Sequence, residues 1–178
     1  MEFYEVIEDR TSVRKFKSNP ICKDKLSRMI NAAMMAPSWK NQTSYKIIIV
    51  EDKSKREQLA NTIINSTDKA ANSVKDAPVT MVIVADPDKS GVVGDKQYYL
   101  VDSAIAMEHF ILAATNEGYG TCWIGALVEN EVKNILNIPN EYKVVGMTPV
   151  GEIDEDKEHY PKKDIKEYVF LNHWNNGY

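Results

Sequence analysis

The sequence has little of what would place it outside the cell, in a membrane or around a metal. Only two cysteines occur in 178 residues, Cys22 and Cys122. They form neither a CxxC pair nor a zinc spacing, and a single pair is no disulfide framework of the secreted kind. Buried or idle thiols in a reducing compartment are the expectation. The three histidines, His109, His159 and His173, have no partner at metal-ligand spacing. His109 beside Glu108 reads as a helix-surface pair. No apolar run approaches the roughly 20 residues that span a bilayer, and the opening MEFYEVIEDR is acidic with no apolar signal core. These absences lead to the expectation of a cytoplasmic protein with no membrane partner.

Positive charge is not in excess either. Lysine and arginine number 22 against 26 aspartates and glutamates, a net charge of −4, which argues against a nucleic-acid surface. An anionic ligand must therefore be met by a local cluster of cations. Glycines 118, 120 and 125 do not make a dinucleotide fingerprint: Trp123 stands where the third glycine is required, and the run follows a helix rather than a strand. There is no GxxxxGK[ST]. Ser12 and Ser38 lie in loops with no His, Lys or Asp at a recognisable offset, so hydrolytic chemistry lacks candidate machinery. A redox cofactor, which carries its own reactivity and needs binding, orientation and tuning, fits that absence.

What is present is an ordinary globular mixture, 43% hydrophobic and 27% charged, long enough for one domain with a real core. Residues 3–9 read as a short helix, and residues 23–35 carry apolar residues at helical spacing up to a stop at Pro37. YKIIIVED reads as a strand covered on both faces. Residues 53–76 read as one or two polar surface helices, VTMVIVAD as a second buried strand, and PDKSGVVGDK as a loop. Residues 98–117 form the strongest helix. Leu100, Ala104, Met107, Ile111 and Ala114 make one stripe, which Val101, Ile105, Phe110 and Leu112 widen until the helix is buried nearly all round. GYGTCWIGAL reads as a short strand, ENEVKNILNI as an amphipathic helix and EYKVVGMTPVGEI as a last long strand. A polar tail, DEDKEHYPKK, leads to the apolar DIKEYVFLNHW. Strands and helices without strict alternation predict an α+β fold, a sheet packed with helices.

Four segments could carry chemistry. In Arg10-Thr11-Ser12-Val13-Arg14 two guanidinium forks flank two hydroxyls, which suits a phosphomonoester and equally a solvated basic loop. In APSWKN, Pro37 stiffens the turn, Ser38 offers a small donor and Asn41 both donates and accepts, or the segment simply ends a helix. TCWIGA at 121–126 is a strand whose glycine allows close backbone approach to a planar ring, or a core strand with Trp123 as packing. Lys162-Lys163 is a cation pair before the apolar tail, or two solvated charges.

In this order the four segments resemble the nitroreductase family of FMN flavoproteins, over about Phe3 to Trp174. The resemblance implies a homodimer of α+β chains, each with a central, mostly antiparallel sheet flanked by helices. FMN would lie at the dimer interface and a C-terminal arm, about 160–178, would be exchanged across it, which gives the apolar tail and helix 98–117 a partner to cover them. By position, Arg10, Thr11, Ser12 and Arg14 would hold the phosphate and ribityl chain, with Lys162 or Lys163 as the matching cation. Pro37, Ser38, Trp39 and Asn41 would reach the partner's flavin. Cys122, Ile124 and Gly125 would line the flavin edge, the Ile124 N–H facing N5, and Asn72 is a candidate contact for the pyrimidine. Thr43 departs from the Asn-x-Gln-Pro-Trp pattern common after the turn. The implied reaction is ping-pong: NADH or NADPH gives a hydride to flavin N5, and an electron-poor small molecule, a nitroaromatic or quinone, takes two electrons. The alternatives are an FMN storage or sensor protein without turnover, or a variant with another redox task such as dehalogenation or heterocycle oxidation.

Overall fold

The computed structural model describes residues 1–159, 161 and 164–178. Along the chain lie α1 (Phe3–Asp9), α2 (Lys23–Met34), β1 (Tyr45–Val50), α3 (Lys53–Asn61), α4 (Lys69–Asp76), β2 (Val79–Ala85) and a short hairpin of β3 (Val92–Val93) and β4 (Lys96–Gln97). There follow α5 (Tyr98–Asn116), β5 (Gly120–Thr121), α6 (Glu129–Leu136) and β6 (Lys143–Gly151). The main sheet has the order β1-β2-β6-β5 and every pair in it is antiparallel. The expected α+β class is therefore the observed one.

β2 explains the layering. It is buried at every residue, and because successive side chains alternate between faces, Met81, Ile83 and Ala85 enter one apolar cluster while Val82 and Val84 enter another. Helices α2 and α5 cover the first face with Met29, Ala33, Met107, Phe110 and Ile111. Helices α3, α4 and α6 cover the second with Leu59, Val74 and Val132. Each such fully buried large side chain contributes about 1.5–3 kcal/mol of transfer free energy.

The structure departs from the sequence reading in five places. Among the described residues β1 pairs with β2 alone, at the sheet's edge, and is half covered rather than covered on both faces. The polar stretch 53–76 gives two helices, but they are core elements that bury Leu59, Ala60, Ala70 and Val74. Leu100 and Val101 of α5 are exposed, and Asp102 and Ser103 face inward instead. The stretch read as a loop, 87–96, contains the hairpin, whose two-residue turn places Gly94 at φ +64°. His109 also differs: its Nδ1 lies 3.2 Å from the Ala32 carbonyl of α2, so the ring bridges two helices.

Candidate functional site

Arg10 caps α1, its N–H donating to the Val6 carbonyl at 3.0 Å. The chain then runs extended beside β5: Ser12 pairs in parallel with Thr121, and the Val13 N–H donates to the Thr121 carbonyl at 2.8 Å. Val13 is 2% exposed and packs inward with Phe16 and Ala77. By the two-residue alternation of extended chain, its neighbours Ser12 and Arg14 turn the other way, half-buried and exposed respectively. Gly120 permits this approach, since a Cβ there would stand 2.8 Å from the Val13 Cβ.

The polar segment after β6 is not a free tail. Lys17 N–H donates to the Glu152 carbonyl at 2.9 Å and Asp154 N–H to the Lys15 carbonyl at 3.1 Å, with a bridge between Phe16 and Ile153. Farther along, Thr11 Oγ1 donates to the Glu158 carbonyl at 2.7 Å, Arg14 N–H to Glu155 Oε1 at 2.5 Å, and Lys157 pairs with Asp9. Sequence reasoning missed this wall. Long-range pairing of this kind leaves no local periodicity to read.

The loop, the returning segment and one face of α4 enclose a cavity of about 910 Å³. Arg10, Thr11, Ser12 and Arg14 line it together with Lys69 and Asn72 of α4 and with Glu155 to His159. Among the described residues neither Arg10 nor Arg14 is in a salt bridge. Among the described residues the Arg14 guanidinium donates to the Ser12 carbonyl at 3.3 Å. Two guanidinium groups without a carboxylate partner, flanking two hydroxyls in a concavity, can accept a dianion through charge-assisted bonds. Glu155 and Asp156 also line the cavity, with Glu155 accepting the Arg14 N–H. The Asn72 candidate lies in this cavity.

TCWIGA borders the same loop but offers less than expected. The side chains of Cys122 and Ile124 enter the second apolar cluster. The Cys122 N–H donates to Thr148 Oγ1 at 3.2 Å. The Ile124 N–H donates to the Met147 carbonyl at 2.9 Å and the Met147 N–H returns the bond to Ile124, so the Ile124 donor expected to face N5 is engaged in the sheet. Gly125 is exposed, and Trp123, 39% exposed, is not core packing. Burial pushes the Cys122 thiol up, with the charge of Arg14 and a bond to Ser12 acting against it.

APSWKN lies elsewhere, against the start of α5. Lys40, Asn41 and Thr43 all have positive φ (48°, 58° and 49°), a costly conformation for non-glycine residues and most of all for a β-branched one. The turn is pinned: Ser38 Oγ accepts from the Thr43 N–H at 2.9 Å and Asp102 Oδ1 from the Trp39 N–H at 2.8 Å. Trp39 stacks on Tyr98 with ring centroids 4.4 Å apart. Pro37 and Asn41 are exposed. One chain thus joins the RTSVR and TCWIGA segments and leaves the third apart. Lys162 and Lys163 lie outside the described residues. The tail holds a 3-10 turn at Ile165–Glu167 and a bridge from Phe170 to Gly177 in place of a terminal strand.

A model of the nitroreductase family matches residues 7–152. The chain belongs to the nitroreductase family. A nitroreductase family protein from Clostridium novyi NT is 48% identical with a TM-score of 0.86, covering 100% of this chain and 97% of that one. An FMN-dependent nitroreductase from Clostridium difficile R20291 is 28% identical with a TM-score of 0.83, covering 95% and 98%. An NADPH-dependent oxidoreductase of Staphylococcus epidermidis is 28% identical over 177 residues, 89% of this chain and 68% of its own.

Proposed function

We propose that this nitroreductase-family chain is an FMN-dependent NAD(P)H oxidoreductase with the FMN phosphate seated between Arg10 and Arg14. The observation that carries this reading is the cavity in which two guanidinium groups without ion-pair partners flank the hydroxyls of Thr11 and Ser12, beside a glycine-bearing strand. The donor set fits a phosphomonoester, and the exposed Gly125, which follows the Ile124 bridge, would let a flat ring approach the backbone. Bound FMN would supply the redox step, taking a hydride from NADH or NADPH at N5 and giving two electrons to an electron-poor small molecule such as a nitroaromatic or quinone.

The chain's own work is positional. Arg10 and Arg14 would neutralise the phosphate and Ser12 would orient it, while Thr11, whose hydroxyl donates to the Glu158 carbonyl, would hold the loop in place and Asn72 would offer the flavin an amide. Lys162 or Lys163 adds a third cation. With the Cys122 and Ile124 N–H groups committed to the sheet, the N–H of Gly125 would be the donor offered to the ring in place of that of Ile124. Electrostatic positioning of this kind is the protein's main lever when the cofactor carries the reactivity.

The working unit is a homodimer. The tail exposes Ile165, Tyr168, Leu171 and Trp174, and the body exposes Met35, Leu100 and Val101. Scattered apolar residues are normal, but this many large ones on the tail and α5 support a second copy as the cover. In that dimer Pro37, Ser38, Trp39 and Asn41 reach the partner's flavin. Titration with FMN, followed by quenching of flavin fluorescence, tests the reading: saturable uptake with one FMN per chain is expected, and no uptake overturns it.

A further inference from the structure

Helix α5 is apolar along most of its length, yet it buries a carboxylate. Asp102 is 2% exposed, and a buried charge is tolerated only when its lone pairs are satisfied. Here three donors converge on it from three segments. Oδ1 accepts the Trp39 N–H at 2.8 Å, and Oδ2 accepts the hydroxyls of Ser44 at 3.1 Å and Ser90 at 3.0 Å. Trp39 belongs to the turn with three left-handed residues, Ser44 to the entry of β1, and Ser90 to the loop that leads into the β3–β4 hairpin. The loop and the turn touch a second time. Gly91 packs on the Trp39 indole so closely that a Cβ would stand 2.2 Å from Cε2, and its carbonyl accepts the Tyr98 N–H at 2.9 Å.

We propose that Asp102 is a positioning residue that locks the turn 37–43 and the loop 86–91 into one rigid unit, so that the turn's contact with the partner's flavin and the setting of the exposed hairpin are fixed together. The inference rests on the FMN reading above for its consequence and on the hydrogen bonds alone for its mechanics. A turn that holds three non-glycine residues at positive φ relaxes when its anchor goes. Among the described residues Asp102 is the one side chain hydrogen-bonded to both segments, so its loss loosens both and leaves the Gly91–Trp39 packing as their remaining contact, whereas loss of the Ser90 hydroxyl loosens the loop alone.

The test combines Asp102→Asn, which keeps shape and removes the charge and one acceptor, with Asp102→Ala and Ser90→Ala in the full-length chain. Amide hydrogen exchange, urea unfolding and FMN affinity are measured on each. Asp102→Asn, whose remaining Oδ1 can still accept the Trp39 N–H, speeds exchange mainly in 86–97, and Asp102→Ala, which has no acceptor, speeds it in both 37–43 and 86–97, with β2 protected as in the wild type. In Asp102→Ala FMN affinity falls about tenfold, the scale of one charge-assisted hydrogen bond. Ser90→Ala speeds exchange in 86–97 only and leaves FMN affinity within about twofold of wild type, the change expected when no bond to the turn is lost. If Asp102→Ala leaves 37–43 protected, or loosens β2 equally, the positioning role is overturned. If wild type binds no FMN while the exchange pattern holds, the cofactor reading fails and the locking of the two segments stands.

Discussion

The Val13 N–H and the Thr121 carbonyl, 2.8 Å apart, join the basic loop to the glycine-bearing strand. Through this bond a run of charge near the N-terminus and a run of small residues more than a hundred positions later become one wall. The join depends on a missing side chain. A Cβ on Gly120 would meet Val13 at 2.8 Å and Ile153 at 2.9 Å, both β-branched and stiff at χ1. Gly120→Ala therefore lowers stability by about 1–3 kcal/mol, the usual cost of overpacking, and weakens FMN uptake because the loop is displaced. Urea unfolding and an FMN titration check the two effects, and an unchanged urea midpoint would count against the close join.

In the proposed reading Arg10 and Arg14 hold the phosphate, so their removal discriminates between ligands. Arg10→Ala and Arg14→Ala each weaken FMN about tenfold or more, since a charge-assisted bond contributes about 1.5–3 kcal/mol. Riboflavin, which lacks the phosphate, binds the variants as it binds wild type. Equal losses for both ligands would place the arginines away from the phosphate.

The two thiols differ in environment. Cys22 is exposed, whereas Cys122 is buried and burial pushes its thiol up. Since the thiolate is the reactive form, a disulfide reagent at mild alkaline pH titrates one thiol per chain quickly and the second only after unfolding. Two fast thiols would contradict the packing of Cys122 in the core.

Glu117 and Arg28 meet in a two-pronged pair, Nε to Oε1 at 2.6 Å and Nη2 to Oε2 at 2.8 Å. The bond to Arg28 holds the Glu117 carboxyl below its ordinary range. A carboxyl depressed in the folded state adds stability that is complete above its unfolded value, about 4.3, and is lost as pH falls through the lower folded value. Glu117→Gln thus flattens the acid limb of a melting-temperature profile and leaves its slope near neutrality unchanged. Acid limbs that superimpose for the two proteins would mean the pair is loose in solution.

Much of the fold was legible because the physics was local. The run VTMVIVA is apolar at every position because both faces of β2 are covered. YKIIIV has nearly the same composition yet forms an edge strand, since periodicity reports burial and not a strand's place in the sheet. In α5 the apolar stripe was visible, and its Met107, Ile111 and Ala114 are buried, but not that Leu100 and Val101 at the helix start are exposed. A lone Asp102 in VDSAIAM was the one local sign of a buried anchor. The hairpin announced itself only through Gly94-Asp95. At the site, RTSVR and TCWIGA stood out by residue type. The wall from 152 to 159 did not, because its bonds to Thr11, Arg14 and Lys15 exist only once β6 has brought it alongside. The engagement of the Ile124 N–H by Met147 is likewise a consequence of sheet register, which no motif encodes.

The central claim is that this chain binds FMN and passes electrons from a nicotinamide to a small acceptor. The measurement that tests it most directly is an anaerobic titration of the FMN-saturated protein with NADH and with NADPH, followed in the visible spectrum, then exposure to a quinone or nitroaromatic. The account predicts that the flavin bands bleach with one equivalent of at least one nicotinamide and return when the acceptor is added. Flavin bands that persist under excess of both nicotinamides, or a protein that holds no FMN at all, would contradict it.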